Sequence, residues 1–270
     1  MNNIPIFDSL THPTIDGNWI MPQFPQKASI ETLKEQMSLH DIKAAFAMGL
    51  KGIGAYEEDA FIRLIKDNGD GKLYPVAYFD VNESNDLQFI TCRMKSIKEK
   101  GYVGIKLHPR IGDFLLDNAI LSDIIDEATN CGLIVFLCTY FYGNKQSIAI
   151  NNVSQLGDLL LNVSPQSQIV LLHGGGVRLL ETTEIARAFP NILLDLSFTL
   201  CKYEGSSLDI DIKYLFNKFD QRICVGSDHP DISIFQLRQR FDFFSQDIDE
   251  EKLKNIAFKN IEKLLNHGFK

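Results

Sequence analysis

No stretch of this chain is apolar for long enough to cross a bilayer. The longest apolar run, residues 132–142, has about half of the twenty or so residues that a spanning helix needs. The opening residues, from Met1 to Asp8, carry no basic flank and no long apolar run, so no signal peptide is expected there. The five cysteines, Cys92, Cys131, Cys138, Cys201 and Cys224, are odd in number and none are spaced as CxxC. That pattern argues against a disulfide scaffold and for a reducing, cytoplasmic compartment. Basic residues are in the minority, 27 against 35 acidic, giving a net charge of −8. With no basic cluster to offset that charge, neither nucleic acid nor a membrane surface is an expected partner. Also missing are a Pro/Ser-rich linker, a charge block and the phosphate-cradling patterns GxGxxG and GxxxxGK.

What the chain does have is a regular alternation. Short β-branched or aromatic runs at residues 4–9, 42–48, 74–80, 102–107, 133–139, 169–173, 192–197 and 223–227 are separated by helical patterns. That spacing suits strands joined by crossover helices. In residues 117–130 a capping Asp117 precedes Ile120, Leu121, Ile124, Ile125 and Ala128, one apolar stripe at helical spacing. Asp247 and Glu250 are expected to form a capping box for a closing helix that buries Leu253, Ile256, Ala257, Ile261, Leu264 and Leu265. The 270 residues, 45% of them hydrophobic, suffice for one large core. The expected architecture is therefore α/β, a (β/α)8 TIM barrel spanning 1–270 with a C-terminal helix. Gly174-Gly175-Gly176 lies between a strand and a helix, where a tight turn accounts for it and anion binding is the alternative.

Side chains alternate along a strand, so residues two apart share a face. In the first run this groups Ile6, Asp8, Leu10 and His12; in the fourth it groups Gly104, Lys106 and His108, with Ile105 and Leu107 turned to the helices. The fifth offers Ile134, Phe136, Cys138 and Tyr140, the sixth Ile169, Leu171 and His173, and the eighth Cys224, Gly226 and Asp228. Titratable residues thus gather at the C-terminal ends of several strands, where a barrel keeps its chemistry. Each alone has an ordinary reading: a strand-end histidine can be a hydrogen-bonded structural residue, and Asp228 can cap the next helix. Together, two imidazoles and a carboxylate suit one divalent cation with a position left for water, which the ion acidifies and a carboxylate deprotonates.

At these residues the sequence resembles the amidohydrolase superfamily, in its amidohydrolase-2 branch of metal-dependent barrel hydrolases and decarboxylases. The resemblance rests on Asp8-Ser9-Leu10-Thr11-His12, Gly104-Ile105-Lys106-Leu107-His108-Pro109, Leu172-His173-Gly174-Gly175, Asn191-Ile192-Leu193-Leu194-Asp195-Leu196-Ser197 and Val225-Gly226-Ser227-Asp228-His229-Pro230. It implies His12, His173 and Asp228 as metal ligands, zinc being the first choice, with His173 and Asp228 catalytic. The family's opening strand carries two metal-binding histidines, and here Leu10 stands in place of the first. Many members have a histidine where this chain has Cys138, whose thiolate could complete a single-metal site. The resemblance also includes lactone hydrolases that work without metal through cationic residues, a role open to Lys106, His108 and Arg110. Arg110 suits a substrate carboxylate, and Tyr140, with Trp19 from the loop at 13–27, suits a ring.

The expected function is hydrolysis of a carbonyl-type bond, a cyclic ester or amide, in a small carboxylate-bearing molecule by an activated water. The alternatives are non-oxidative decarboxylation of an aromatic or unsaturated acid, and an inactive barrel kept as a binding protein. A small-molecule substrate is the expected partner, and a homo-oligomer is left open.

Overall fold

The structure, a computed structural model, describes residues 4–20, 27–142 and 152–268. All eight expected strands form: β1 (Ile6–Thr11), β2 (Ile42–Met48), β3 (Leu73–Tyr78), β4 (Gly104–Leu107), β5 (Ile134–Cys138), β6 (Ile169–Leu172), β7 (Ile192–Asp195) and β8 (Ile223–Cys224). They lie side by side in chain order, every neighbouring pair parallel. The segment after β8 returns to β1 through backbone bonds from Ser9 N to Val225 O (3.1 Å), Asp228 N to Leu10 O (2.9 Å) and His12 N to His229 O (2.8 Å). These bonds bring the last strand back to the first, as the expected (β/α)8 barrel requires. Among the described residues no helix is long and apolar enough to cross a membrane.

Two apolar layers follow from strand alternation. Between strands and helices lie residues such as Ile105, Leu107, Leu137 and Leu171. Inside the barrel Phe46 meets Phe7 and Phe136 at ring separations of 5.0 and 4.8 Å, each buried ring contributing roughly 1.5–3 kcal/mol. Ile261, Leu264 and Leu265 join this inner cluster and close the floor of the barrel. The opposite, C-terminal ends of the strands are left for polar residues.

Parity misplaced two strands. In β1 the register shifts between Ile6 and Phe7 and again after Asp8, so Phe7 and Leu10 enter the interior while Ile6 faces the helices. A bulge adds a residue without adding an alternation, and period two then fails. In β6 the inner residues are Val170 and Leu172, not Ile169 and Leu171. Two caps also moved. At the start of the helix Ile120–Asn130, Ile120 N donates to Asn118 Oδ1 at 3.2 Å, and Asp117 is not the cap. Glu250–Lys254 is capped by Asp249, not Asp247, through Glu251 N and Lys252 N. The buried stripe beyond it, Leu253, Ile256, Ala257, Ile261, Leu264 and Leu265, is as expected.

Candidate active site

The strand ends deliver two groups of polar side chains to one mouth. The first is His12, Lys106 and Asp228, from the ends of β1, β4 and β8. His12 donates its Nδ1 proton to Met48 O at 2.8 Å, which leaves the Nε2 lone pair facing the mouth. Lys106 Nζ lies 3.0 Å from that Nε2 and Asp228 Oδ1 lies 3.3 Å from it. Lys106 is 1% exposed. Burial pulls its ammonium below the usual lysine range, and the Asp228 charge works against that shift. Burial, aided by Lys106, likewise lowers His12 to about 4, so the ring is neutral at pH 7. For Asp228 burial acts to raise the pKa, but the adjacent His12 and the charges of His173 and Lys106 hold it well below the carboxylate range. The result is an ionised carboxylate and a buried amine that both lie beside Nε2 of one fixed imidazole.

The second group is Cys138, His108 and His173, from the ends of β5, β4 and β6. Burial would raise the Cys138 thiol, but the two nearby imidazoles hold it well below the usual value. His173 is raised despite its burial, chiefly by Cys138, whereas His108 is lowered by burial. His173 reaches the mouth although its strand parity points elsewhere, because its φ of 66° turns the chain there. Asp228 and Phe198 have similar left-handed values, 63° and 62°, which cost energy in residues with a Cβ and cluster at functional sites. Gly174, Gly175 and Gly176 continue that turn with positive φ, and a Cβ on Gly175 would come within 2.1 Å of Thr182 Oγ1. A close-packed turn therefore accounts for the three glycines.

Asp195, quoted in a sequence motif but given no role there, organises this wall. It accepts from His173 N at 3.1 Å, Ser197 N at 3.0 Å and the hydroxyls of Ser9 and Ser197. Ser197 O in turn lies 3.2 Å from His173 Nδ1 and takes its proton. Nothing in the alternation of strands announces a backbone acceptor of this kind. Asp228 does not cap the next helix, Ile234–Phe244, which has its own capping box from Ser233 and Gln236.

A cavity of about 420 Å³ opens beside the second group, with Cys138, Arg110, Tyr140, Asn82 and Asn118 in its wall. The Arg110 guanidinium sits 4.9 Å from the centre of the Tyr140 ring. Trp19 is placed elsewhere: its ring stacks on His12 at 5.3 Å and its Nε1 donates to Asp231 Oδ1 at 2.6 Å. It covers the first group. Residues 21–26 of the loop at 13–27 lie outside the described residues.

The four metal donors expected from the sequence are thus divided. His12 and Asp228 stand together, and Cys138 and His173 stand together. The lone pair that His12 would offer an ion already accepts from Lys106. Among the described residues no three His, Cys, Asp or Glu side chains gather as a metal-binding group. This arrangement does not fit a divalent ion held by all four.

No family model matches the chain, and no curated protein matches it. Solved structures do match, along nearly all of its length. An uncharacterized TIM-barrel protein from Bordetella bronchiseptica superposes with a TM-score of 0.80 at 18% identity, covering 98% of this chain and 100% of that one. A probable 2-pyrone-4,6-dicarboxylic acid hydrolase from Acinetobacter baumannii, with citric acid bound, gives 0.71 at 14% identity, covering 97% and 99%. A 5-carboxyvanillate decarboxylase from Novosphingobium aromaticivorans, complexed with manganese and a nitrobenzoic acid, gives 0.67 at 11%, covering 98% and 99%. The resemblance read from the sequence holds at the level of the fold.

Proposed function

We propose that this chain is an enzyme that hydrolyses a carbonyl-type bond, a cyclic ester or amide, in a small carboxylate-bearing molecule. The observation that carries the reading is the buried Lys106–His12–Asp228 group at the mouth of a barrel, with Arg110 in the wall of the neighbouring cavity. Asp228, ionised at neutral pH, accepts the proton of an attacking water. Its low basicity limits that transfer, and Lys106 offsets the limit by donating to the carbonyl oxygen as negative charge develops there. A buried ammonium with a lowered pKa is also a competent proton donor to a leaving group. Arg110 pairs with the substrate carboxylate, and Tyr140 offers a ring face beside it.

This route needs no ion. The sequence resemblance admits one divalent metal, and the manganese-bound decarboxylase shares the fold; against it, Lys106 occupies the His12 lone pair where such an ion would bind. The fold-sharing probable pyrone hydrolase, crystallised with a polycarboxylate, supports the substrate class. The test is product analysis over carboxylated lactones, cyclic amides and hydroxybenzoic acids. Addition of one water to a lactone or amide supports the reading. Release of CO₂ from an aromatic acid would establish decarboxylation instead, and no turnover with any of them would favour an inactive, ligand-binding barrel.

A further inference from the structure

Phe198 follows the end of β7 with φ 62° and ψ −56°. Across it Thr199 N donates to Ser197 O at 2.6 Å. Those angles and that bond make a γ-turn of the rare, strained form, which glycine adopts at no steric cost and phenylalanine does not. Both flanks of the turn hold one residue. Ser197 O lies 3.2 Å from His173 Nδ1, and a carbonyl only accepts, so that nitrogen carries the proton. Thr199 Oγ1 donates to His173 O at 2.7 Å. Asp195 anchors the assembly by accepting from Ser197 N at 3.0 Å. The phenylalanine ring completes it. It meets His173 edge-on at 6.0 Å and Tyr140 at 5.3 Å, and those two rings meet each other at 6.2 Å. Tyr140 in turn stands in the wall of the cavity, with the Arg110 guanidinium over its ring at 4.9 Å. A strained backbone kept under a side chain that braces two residues of the mouth is the pattern of a positioning device.

We propose that Phe198 is the positioning residue of this site. Its strained turn fixes His173 by the Nδ1 edge, so that Nε2 is the one ring edge offered to the water that Asp228 deprotonates. Its ring sets Tyr140, and with it Arg110, in the cavity wall. This rests on the hydrolytic reading above and deepens it. The two halves of the role are separable. With a relaxed backbone at 198, Ser197 O turns away and His173 is free to place its proton on Nε2, the other tautomer. With the turn kept and the ring removed, His173 keeps its tautomer, while Tyr140 loses the edge it packs against. The first loss falls on the reacting water and the second on the substrate carboxylate.

The first arm of the test needs no substrate. Phe198→Gly and Phe198→Ala both delete the ring, but only glycine takes the turn without strain. Phe198→Gly is therefore expected to melt above Phe198→Ala, the reverse of the usual order, in which alanine gains from its stiffer unfolded chain. Alanine melting above glycine would overturn the proposal. The second arm reads the ring nitrogens by NMR in protein labelled with ¹⁵N-histidine, with His173→Gln identifying the signals. Neutral His173 is expected to carry its proton on Nδ1 in the parent and in Phe198→Gly. In Phe198→Val, whose branched Cβ is excluded from this backbone region, the proton is expected on Nε2. An Nε2-protonated parent would overturn the proposal, and so would a folded Phe198→Val with the parent spectrum. The third arm uses coumarin-3-carboxylic acid, a ring ester with a carboxylate. Phe198→Val is expected to lower kcat by about 10², the cost of a misplaced group, whereas Phe198→Gly chiefly raises KM. Unchanged kcat and KM in both would overturn it. The expected melting order and tautomers in a protein that hydrolyses no lactone or amide would refute the hydrolytic reading and leave Phe198 standing as the residue that fixes His173.

Discussion

The two polar groups at the barrel mouth solve the same problem, charge without water, in opposite ways. His12, Lys106 and Asp228 lie beneath a tryptophan ring, and their imidazole is kept neutral by burial and by the adjacent amine. Cys138, His108 and His173 stand beside an open cavity, and their second imidazole is pushed towards the charged form by the sulfur. One group suits holding an ionised carboxylate next to a cation, and the other sets a lowered thiol and a raised imidazole beside a cavity. The difference lies less in residue type than in which ring edge the backbone occupies. Met48 O and Ser197 O each fix a proton on Nδ1, and at His12 the Lys106 amine then takes up Nε2.

The largest effect that would sharpen this comparison is expected from Asp228→Asn. It keeps the shape of the first group and removes its base, so turnover should fall by about 10²–10⁴ while the melting temperature stays close to that of the parent. Near-normal turnover would show that the carboxylate is structural. A smaller effect is expected from Arg110→Gln, which leaves both groups intact and removes the proposed carboxylate clamp. KM for carboxylated substrates should rise roughly ten- to a hundredfold, the range for losing a charge-assisted hydrogen bond, with kcat less affected. A KM that rises equally for the methyl ester of the same substrate would contradict that role.

A third prediction concerns the wall that supports both groups. Asp8 joins β1 to the segment after β8, accepting from Leu10 N at 3.1 Å, Ser227 N at 2.9 Å and Ser227 Oγ at 2.6 Å. Burial outweighs these bonds and pushes its carboxyl from an ordinary 3.8 to about 7. Folded and unfolded chains both hold this proton below about pH 4; above that the unfolded chain releases it first. The contribution of Asp8 to stability is therefore full in acid and is lost as pH rises through about 7. Asp8→Asn should make the decline in unfolding free energy between about pH 5 and about pH 8 shallower. Urea titrations at both ends of that range measure it, and an unchanged slope would place the Asp8 proton elsewhere.

Much of this arrangement was legible in the sequence. Eight strand runs are visible because parallel strands covered on both faces read as short apolar stretches, and the ends of those stretches carried His12, Lys106, His108, Cys138, His173 and Asp228. Alternation failed at β1, where a bulge inserts a residue, and at His173, where a left-handed turn rather than parity directs the side chain. Both are backbone events with no fixed residue signature. The pairing of donors was hidden for another reason. Which nitrogen of a histidine faces the mouth depends on backbone carbonyls from β2 and from the end of β7, far away in the chain. The sequence suggested His12, His173, Asp228 and Cys138 around one ion, and the structure adds an amine there, Lys106 Nζ at 3.0 Å from His12 Nε2.

The central claim is that the cation of this site is the Lys106 side chain. The most direct measurement is turnover and metal content of protein dialysed against a strong chelator, alongside Lys106→Met in the same assay. The account predicts full turnover of the parent with metal far below one ion per chain, and a loss of about 10²–10³ in Lys106→Met that added Zn²⁺ or Mn²⁺ does not restore. Loss of parental activity on chelation, recovered by either ion, would contradict it.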